Sequence, residues 1–284
     1  MEWRSAGLSW ADGAPVLGWE RGDVSPLVVG RHVGFRAAGP RRCVGARGNP
    51  CPDAAVVAGR ATQARCAQCA RLDRAHSVAA DTIADDPRTY RVYLAWFGPG
   101  MVKVGITREE RGAARLLEQG AVAFAWLGRG PLMAARRAEE LLRVALKVPD
   151  RISYARKRAV RSALPGEAAR RGELERMHGF AVALDGWPES LERLSAGIVD
   201  HGEAFGVERL AGTRGYAVTE LVDGGVVSGE LVAVAGPDLC LDDAGRLVVL
   251  DSRLLRGWRL EGVRGATRTT VPVREVPVEQ GGLF

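Results

Sequence analysis

Four cysteines lie within 27 residues, and their spacing constrains the fold of this chain more than any other feature. Cys43, Cys51, Cys66 and Cys69 follow the pattern C-x7-C-x14-C-x2-C. A C-x2-C turn directs backbone N–H groups at two thiolates of one zinc ion, and two more thiolates close a tetrahedral structural site. The sequence therefore predicts one structural Zn²⁺ on these residues. The alternative is a set of reduced, partly buried thiols.

Other residues bear on this metal site and on its cellular setting. His32 and His76 are spare candidate ligands, and Cys240 lies in an apolar strand pattern and is interpreted as a core residue. The N-terminal sequence lacks the pattern of a signal peptide, and no run of 18 uncharged apolar residues occurs. We therefore expect a cytoplasmic protein without membrane association, in which cysteines stay reduced or bind metal.

The basic charge of the chain is concentrated near the cysteines. Nine arginines and two acidic residues lie between Arg31 and Arg74, in a chain of net charge +6. Such a local basic field favours a polyanion such as nucleic acid, and the alternative is a solvated arginine-rich surface. Because Arg41, Arg42 and Arg47 flank Cys43 in turn-rich sequence, we expect the metal site to hold them exposed as nucleic-acid contacts.

The pattern of apolar residues, glycines and prolines predicts an α+β protein built from six segments. These are an N-terminal β segment (1–42), a four-cysteine zinc segment of zinc-ribbon type (43–76), a core of alternating strands and helices (88–154), a basic helical connector (155–204), a small antiparallel β domain (205–265) and a tail (266–284). We expect the β domain to be separate from the core sheet.

One lysine stands out in the predicted core. Only three of the 40 basic residues are lysine, and Lys103 lies in the strand pattern "MVKVGIT". Side chains alternate along a strand, so Lys103 and Gly105 share the face opposite the valines. Thr107 and Glu110 then predict a capping box for a helix that ends near Glu118. A compact ammonium group on this face suits a phosphate pocket.

The motifs "VYLA" (92–95), "KVGIT" (103–107) and "QGA" (119–121) resemble the core of the GIY-YIG superfamily, in a divergent form with lysine in place of the second tyrosine. More narrowly, their order after a cysteine segment resembles a bacterial family of unknown function, over about residues 35–260. The resemblance implies a small mixed sheet with helices. It also implies hydrolysis of a DNA phosphodiester by a tyrosine, an arginine and a glutamate that holds one divalent metal.

Carried onto this sequence, the resemblance assigns four catalytic positions. Tyr93 stands in the first motif and Lys103 in the second, Arg115 matches the superfamily arginine, and Glu139 matches the glutamate that binds Mg²⁺ or Mn²⁺. Arg111 and Glu140 are the neighbouring alternatives for the last two positions.

Two positions depart from the superfamily pattern. Gln119 stands where the nucleases often have histidine or tyrosine, and Ser153 lies near the expected asparagine. Glutamine takes no useful part in proton transfer at neutral pH. Two functions therefore stay open. One is a nucleic-acid-associated zinc protein with metal-dependent endonuclease activity, and the other is a catalytically inactive nucleic-acid or protein-binding module on the same fold. A regulatory or small-ligand protein that uses the C-terminal β region is a third.

Overall fold

The computed structural model describes residues 3–20, 22–75, 86–149, 151–263 and 267–277. These residues form fifteen strands and six α-helices, which confirms the predicted α+β class. The strands are β1 (Trp3–Ala11), β2 (Ala14–Trp19), β3 (Val24–Pro26), β4 (His32–Ala38), β5 (Thr89–Trp96), β6 (Val102–Arg108), β7 (Ala123–Pro131), β8 (Glu192–Arg193), β9 (Ile198–Asp200), β10 (Gly215–Val218), β11 (Val226–Ala235), β12 (Asp238–Asp243), β13 (Arg246–Asp251), β14 (Arg259–Gly262) and β15 (Val273–Glu275). The helices are α1 (Ala67–Ala75), α2 (Ala114–Gln119), α3 (Leu132–Ala145), α4 (Tyr154–Val160), α5 (Glu167–Ala183) and α6 (Gly202–Phe205).

The chain divides into two compact units. The described parts of residues 1–82 and 213–276 form the first, which we call the β unit. The second, which we call the core unit, contains the described parts of residues 83–212. None of the helices in the described ranges is long and apolar enough to cross a lipid bilayer.

The β unit contains a sheet of ten strands in the order β15-β10-β13-β12-β11-β4-β14-β1-β2-β3. Its neighbouring strands are antiparallel except for β10 and β13. Strand β4 lies between β11 and β14, so strands from the two ends of the chain alternate within one sheet. The N-terminal segment (1–42) and the C-terminal strands (205–265), separate in sequence, are therefore joined by pairing across about 190 residues. Strand β15 lies within the stretch that the sequence assigns to the tail.

The core unit contains a smaller sheet in the order β6-β5-β7-β8, in which β9 also pairs with β7. Every one of these pairings is antiparallel, so the expected mixed sheet is wrong in this respect. The reason is local, because β5 and β6 are joined by a tight turn and β7 returns along the other edge of β5. Strands β8 and β9 come from the stretch predicted as a connector, which is thus built into the core unit.

The hairpin of β5 and β6 is covered on both faces. One apolar cluster includes Tyr93, Phe97, Leu116 and Phe124, while Val104 is also buried. The predicted capping box is wrong. Strand pairing continues to Arg108, a short 3₁₀ turn follows at Glu109–Arg111, and α2 begins at Ala114 without a side-chain cap.

Candidate metal centre and core site

The four cysteines of the sequence motif meet in the β unit. The Sγ atoms of Cys43, Cys51, Cys66 and Cys69 all lie within 4.8 Å of one another. The Sγ atoms of Cys51 and Cys66 are 4.0 Å apart, too far for a disulfide. Four thiolates on a tetrahedral zinc ion would be about 3.8 Å apart, given Zn–S bonds of about 2.3 Å. The cluster can therefore hold a metal ion such as zinc.

Backbone N–H groups donate hydrogen bonds to two of these sulfurs and so favour their thiolate form. The N–H of Gly45 and that of Cys66 donate to Cys43 Sγ at 3.4 and 3.2 Å, and the N–H of Cys69 donates to Cys66 Sγ at 3.5 Å. The bond from Cys69 lowers the pKa of the Cys66 thiol to about 7. Burial, together with the neighbouring sulfurs, raises the pKa of Cys69 to about 12. A bound divalent cation would offset the unfavourable ionisation of Cys69, because it stabilises all four thiolates together.

The other ligand candidates stand apart from this cluster. His32 lies on β4, where its Nε2 is 3.0 Å from Ser228 Oγ. Cys240 is buried in β12, as expected of a core residue. His76 lies outside the described residues. In the described part of the chain, the grouping able to bind a metal therefore consists of cysteines alone.

Arg41 corrects the expected basic surface. Only 1% of this residue is exposed. Its Nη1 donates to the carbonyls of Ala58 and Ala61 at 2.7 and 2.6 Å, its Nε to Arg256 at 2.9 Å and its Nη2 to Arg253 at 3.0 Å. Burial and the charge of Arg256 lower its pKa to about 10, so it stays a cation at neutral pH. The expectation that Arg41 is exposed is wrong, because its guanidinium joins the cysteine segment to the loop after β13.

The two other predicted contacts differ from Arg41. Arg42 is half-buried and donates through Nη1 to the carbonyl of Ala54 at 2.8 Å. Arg47 is exposed and has a left-handed backbone with φ of 54°. Helix α1 adds two exposed cations, Arg71 and Arg74. The cysteine segment therefore keeps a cationic surface without Arg41.

Tyr93 is the centre of the second candidate site, which lies in the core unit. It is 2% exposed, and its hydroxyl accepts a hydrogen bond from Gln119 Nε2 at 3.0 Å. The ring lies over Gly105, directly opposite on β6, where a Cβ atom would be 2.4 Å from the tyrosine hydroxyl. Only glycine leaves room for this ring. The glycine of "KVG" is therefore required by the tyrosine ring that packs on it.

Charged residues from three elements surround this tyrosine. Lys103 on β6 is half-buried, with its Nζ 6.0 Å from the centroid of the Tyr93 ring. Burial raises the pKa of Tyr93, the bond from Gln119 and the charge of Arg115 lower it, and the charge of Glu139 raises it. Arg115 and Glu139 are therefore near enough to act on the phenol. We call Tyr93, Lys103, Arg115, Gln119 and Glu139 the core site.

Arg111 and Glu140, the alternatives for the arginine and glutamate positions, form ion pairs with other residues. Glu140 is exposed and bound by both Nε and Nη2 of Arg143 at 2.9 and 2.6 Å, which lowers its pKa. Arg111 binds Glu118 at 2.6 Å. Arg115 lies 3.7 Å from the same carboxylate, with 46% of its side chain exposed. Glu139 and Arg115, rather than their neighbours, therefore belong to the core site.

Two residues of this region were missed by sequence reasoning. Gln119, treated as a departure from the superfamily pattern, is the hydrogen-bond partner of Tyr93. Lys157 is 4% exposed and donates to the backbone carbonyl of Gln119 at 2.8 Å. The scarcity of lysine was the signal that could have singled it out. Ser153, near which the resemblance would place an asparagine, accepts from the N–H of Arg156 at 3.3 Å and caps α4.

Comparison with known proteins gives one result. No curated protein and no solved structure matches the chain significantly. One family model matches residues 30–260, a range that contains both the cysteine cluster and the core site. The chain therefore belongs to the family described as protein of unknown function (DUF2797).

Proposed function

We propose that this protein is a nucleic-acid-associated zinc protein whose core site binds a phosphodiester. The observation that carries the proposal is the grouping of Lys103, Arg115 and Glu139 around the buried Tyr93. Two cations beside one carboxylate suit a phosphate group and a divalent metal. The resemblance of "VYLA" and "KVGIT" to the GIY-YIG core supports the same assignment.

Each side chain has a role in this proposal. Lys103 and Arg115 are partly exposed and hold the phosphate oxygens, where their charges also stabilise the extra negative charge of a pentacoordinate phosphorus. Glu139 is the ligand for Mg²⁺ or Mn²⁺, which when bound would act as a Lewis acid on the phosphate. Hydrolysis then forms a bond from a water oxygen to phosphorus and breaks the bond to the leaving oxygen, which departs with a proton. Burial raises the pKa of Tyr93, so the phenol stays protonated and serves as a hydrogen-bond donor rather than as a general base.

Binding without cleavage is the second candidate function, and the burial of Tyr93 favours it. A phenol that is 2% exposed and hydrogen-bonded by a glutamine amide is not open to a substrate. In this form the same cations hold the nucleic acid, and the core is a rigid support for them.

The cysteine cluster has a structural role in both forms. We propose that it holds one Zn²⁺ and thereby presents Arg42, Arg47, Arg71 and Arg74 to the phosphate backbone. Among the described residues, none of these four arginines forms an ion pair with an acidic side chain. Cations without acidic partners release counterions from nucleic acid most effectively, which gives binding a strong dependence on salt.

The test combines binding and cleavage on single-stranded DNA, duplex DNA and RNA, with Mg²⁺ or Mn²⁺ added. We expect binding at about 50 mM salt that weakens steeply as salt increases. Lys103→Ala should weaken binding and abolish any cleavage, whereas Lys147→Ala, at an exposed lysine just after α3, is the matched control and should change neither. Binding without cleavage selects the second candidate. Absence of binding to all three nucleic acids at that salt contradicts both.

A further inference from the structure

Lys157 occupies an unusual position for a charged side chain. It lies on α4 and is 4% exposed, with its Nζ 3.7 Å from the centroid of the Phe97 ring and 4.6 Å from that of Tyr154. Burial of an ammonium group is strongly unfavourable unless hydrogen bonds and favourable electrostatics compensate for the lost water. Here the compensation includes two aromatic rings and the Gln119 carbonyl at 2.8 Å. A position this demanding indicates a specific role for the lysine.

Gln119 connects this lysine to the core site. It is the last residue of α2, and Gly120 after it adopts the left-handed conformation that ends the helix. Carbonyls in the last turn of a helix lack partners within the helix, and that of Gln119 is bound by Lys157. The side-chain amide of the same residue donates to Tyr93 at 3.0 Å. Gln119 is therefore held through its backbone and binds the tyrosine through its side chain.

We propose that Lys157 is a positioning residue of the core site. By binding the carbonyl of Gln119 it fixes the end of α2, and thereby directs the Gln119 amide to the hydroxyl of Tyr93. A second contact strengthens this docking of α4 on α2, since Tyr154 Oη donates to the carbonyl of Glu118 at 3.4 Å. Lys103 and Lys157 are two of only three lysines in the chain, and both lie against aromatic rings of this one region.

Lysine suits this position through the shape of its charged group. An ammonium group is a compact point charge, whereas a guanidinium is a planar fork with five donors. Here the ammonium group lies against the rings of Phe97 and Tyr154 and donates to the Gln119 carbonyl. The importance of Lys157 for phosphodiester binding rests on the function proposed above, but its effect on Tyr93 does not.

The experiment reads the tyrosine directly, without nucleic acid. The chain has four tyrosines, so ¹³Cζ-tyrosine labelling of the full-length protein gives four NMR signals, and Tyr93→Phe assigns the relevant one. Gln119→Met removes the donor to Tyr93 but keeps the carbonyl that Lys157 binds. Lys157→Met removes the ammonium group but keeps an apolar side chain against the two rings. Lys147→Met is the control at an exposed lysine.

We expect Lys157→Met to shift the Tyr93 signal in the same direction as Gln119→Met, and to add no further shift in the double variant. An unchanged Tyr93 signal in Lys157→Met overturns the proposal. So does an equal additional shift in the double variant, because the lysine would then act by its charge and not through Gln119. If Lys157→Met does not fold, Lys157→Gln, whose side chain is shorter and still polar, has the same expected and contradicting results. Nucleic-acid binding can fail while this NMR result holds, so the two proposals are tested separately.

Discussion

The cysteine cluster and the core site differ in how they are assembled. The four cysteines lie within 27 residues, and their side chains converge around a position suited to one ion. The core site instead draws one residue or two from each of β5, β6, α2 and α3, and is held together by the packing of a sheet and helices. Loss of one ligand should therefore damage the first far more than loss of one polar contact damages the second.

Arginines show the same contrast. Arg41, beside the cysteine cluster, is buried and donates to four carbonyls, whereas Arg115 in the core site is 46% exposed. The first holds structure together, and the second is available to a ligand. From the sequence alone, both residues are cations close to a motif. Only the structure shows that one guanidinium is buried among carbonyls and that the other is exposed.

The largest expected effect comes from a single cysteine. Cys66→Ser should remove the bound zinc and unfold the cysteine segment, because a metal site of this kind contributes on the order of 10 kcal/mol to folding. Zinc content and far-UV circular dichroism measure the loss. Cys240→Ala is the control, since this buried cysteine lies outside the cluster. Full zinc retention in Cys66→Ser would contradict the proposed ligand set.

Arg41→Met should have the next largest effect. Four carbonyls lose their donor, and each buried acceptor left unsatisfied costs about 1–3 kcal/mol, so the free energy of unfolding should fall by about 3 kcal/mol or more. Urea unfolding of the full chain measures this change. The exposed Arg47→Met is the matched control, with an expected change within about 0.5 kcal/mol. Equal free energies of unfolding for the two variants would contradict the claim that the hydrogen bonds of Arg41 stabilise the β unit.

A smaller effect is expected for nucleic-acid binding by the cysteine segment. Arg47→Glu together with Arg71→Glu should weaken binding and reduce the slope of log affinity against log salt by about 1–2, because up to two phosphate contacts are lost. Titrations at several salt concentrations measure the slope. Arg214→Glu, at an exposed arginine of the β unit beyond that segment, is the control. An unchanged slope would remove this surface from the proposed interface.

The smallest expected effect concerns Tyr93 at alkaline pH. Burial raises its pKa in the folded protein, so the unfolded chain loses this proton first as pH rises. The stability contributed by the neutral phenol is thus complete below about pH 10 and is lost as pH rises through the folded-state pKa. Tyr93→Phe should show a weaker alkaline decline in its free energy of unfolding, measured by urea titration at several pH values. Identical declines would mean that the phenol is not held neutral by burial.

The sequence predicted features that depend on neighbouring residues better than contacts between residues far apart in the chain. The cysteine spacing and the strand alternation around Lys103 depend on neighbours in sequence, and both are confirmed in the geometry. The union of the two terminal β segments in one sheet depends on pairs such as Phe35 with Val227, which no local pattern specifies. The helix expected after Thr107 ends where the sequence predicted, but it begins later, at Ala114, because Thr107 pairs with Arg91 on β5 and continues the strand.

Four of the five residues of the core site were named from the sequence, but their contacts were not predictable. The motifs placed Tyr93, Lys103, Arg115 and Glu139 in order along the chain, and the fold brings them together. The hydrogen bonds of Gln119 to Tyr93 and Lys157 join segments 26 and 38 residues apart, and they depend on how α2 and α4 pack. Glutamine and lysine have no fixed spacing that would predict such contacts.

The metal content of the cysteine cluster tests the central claim most directly. Native mass spectrometry of the full-length protein should show one zinc per chain. In the folded protein the four cluster thiols should resist a thiol reagent until a chelator removes the metal. A folded, metal-free protein in which Cys43, Cys51, Cys66 and Cys69 all react at once would contradict the account.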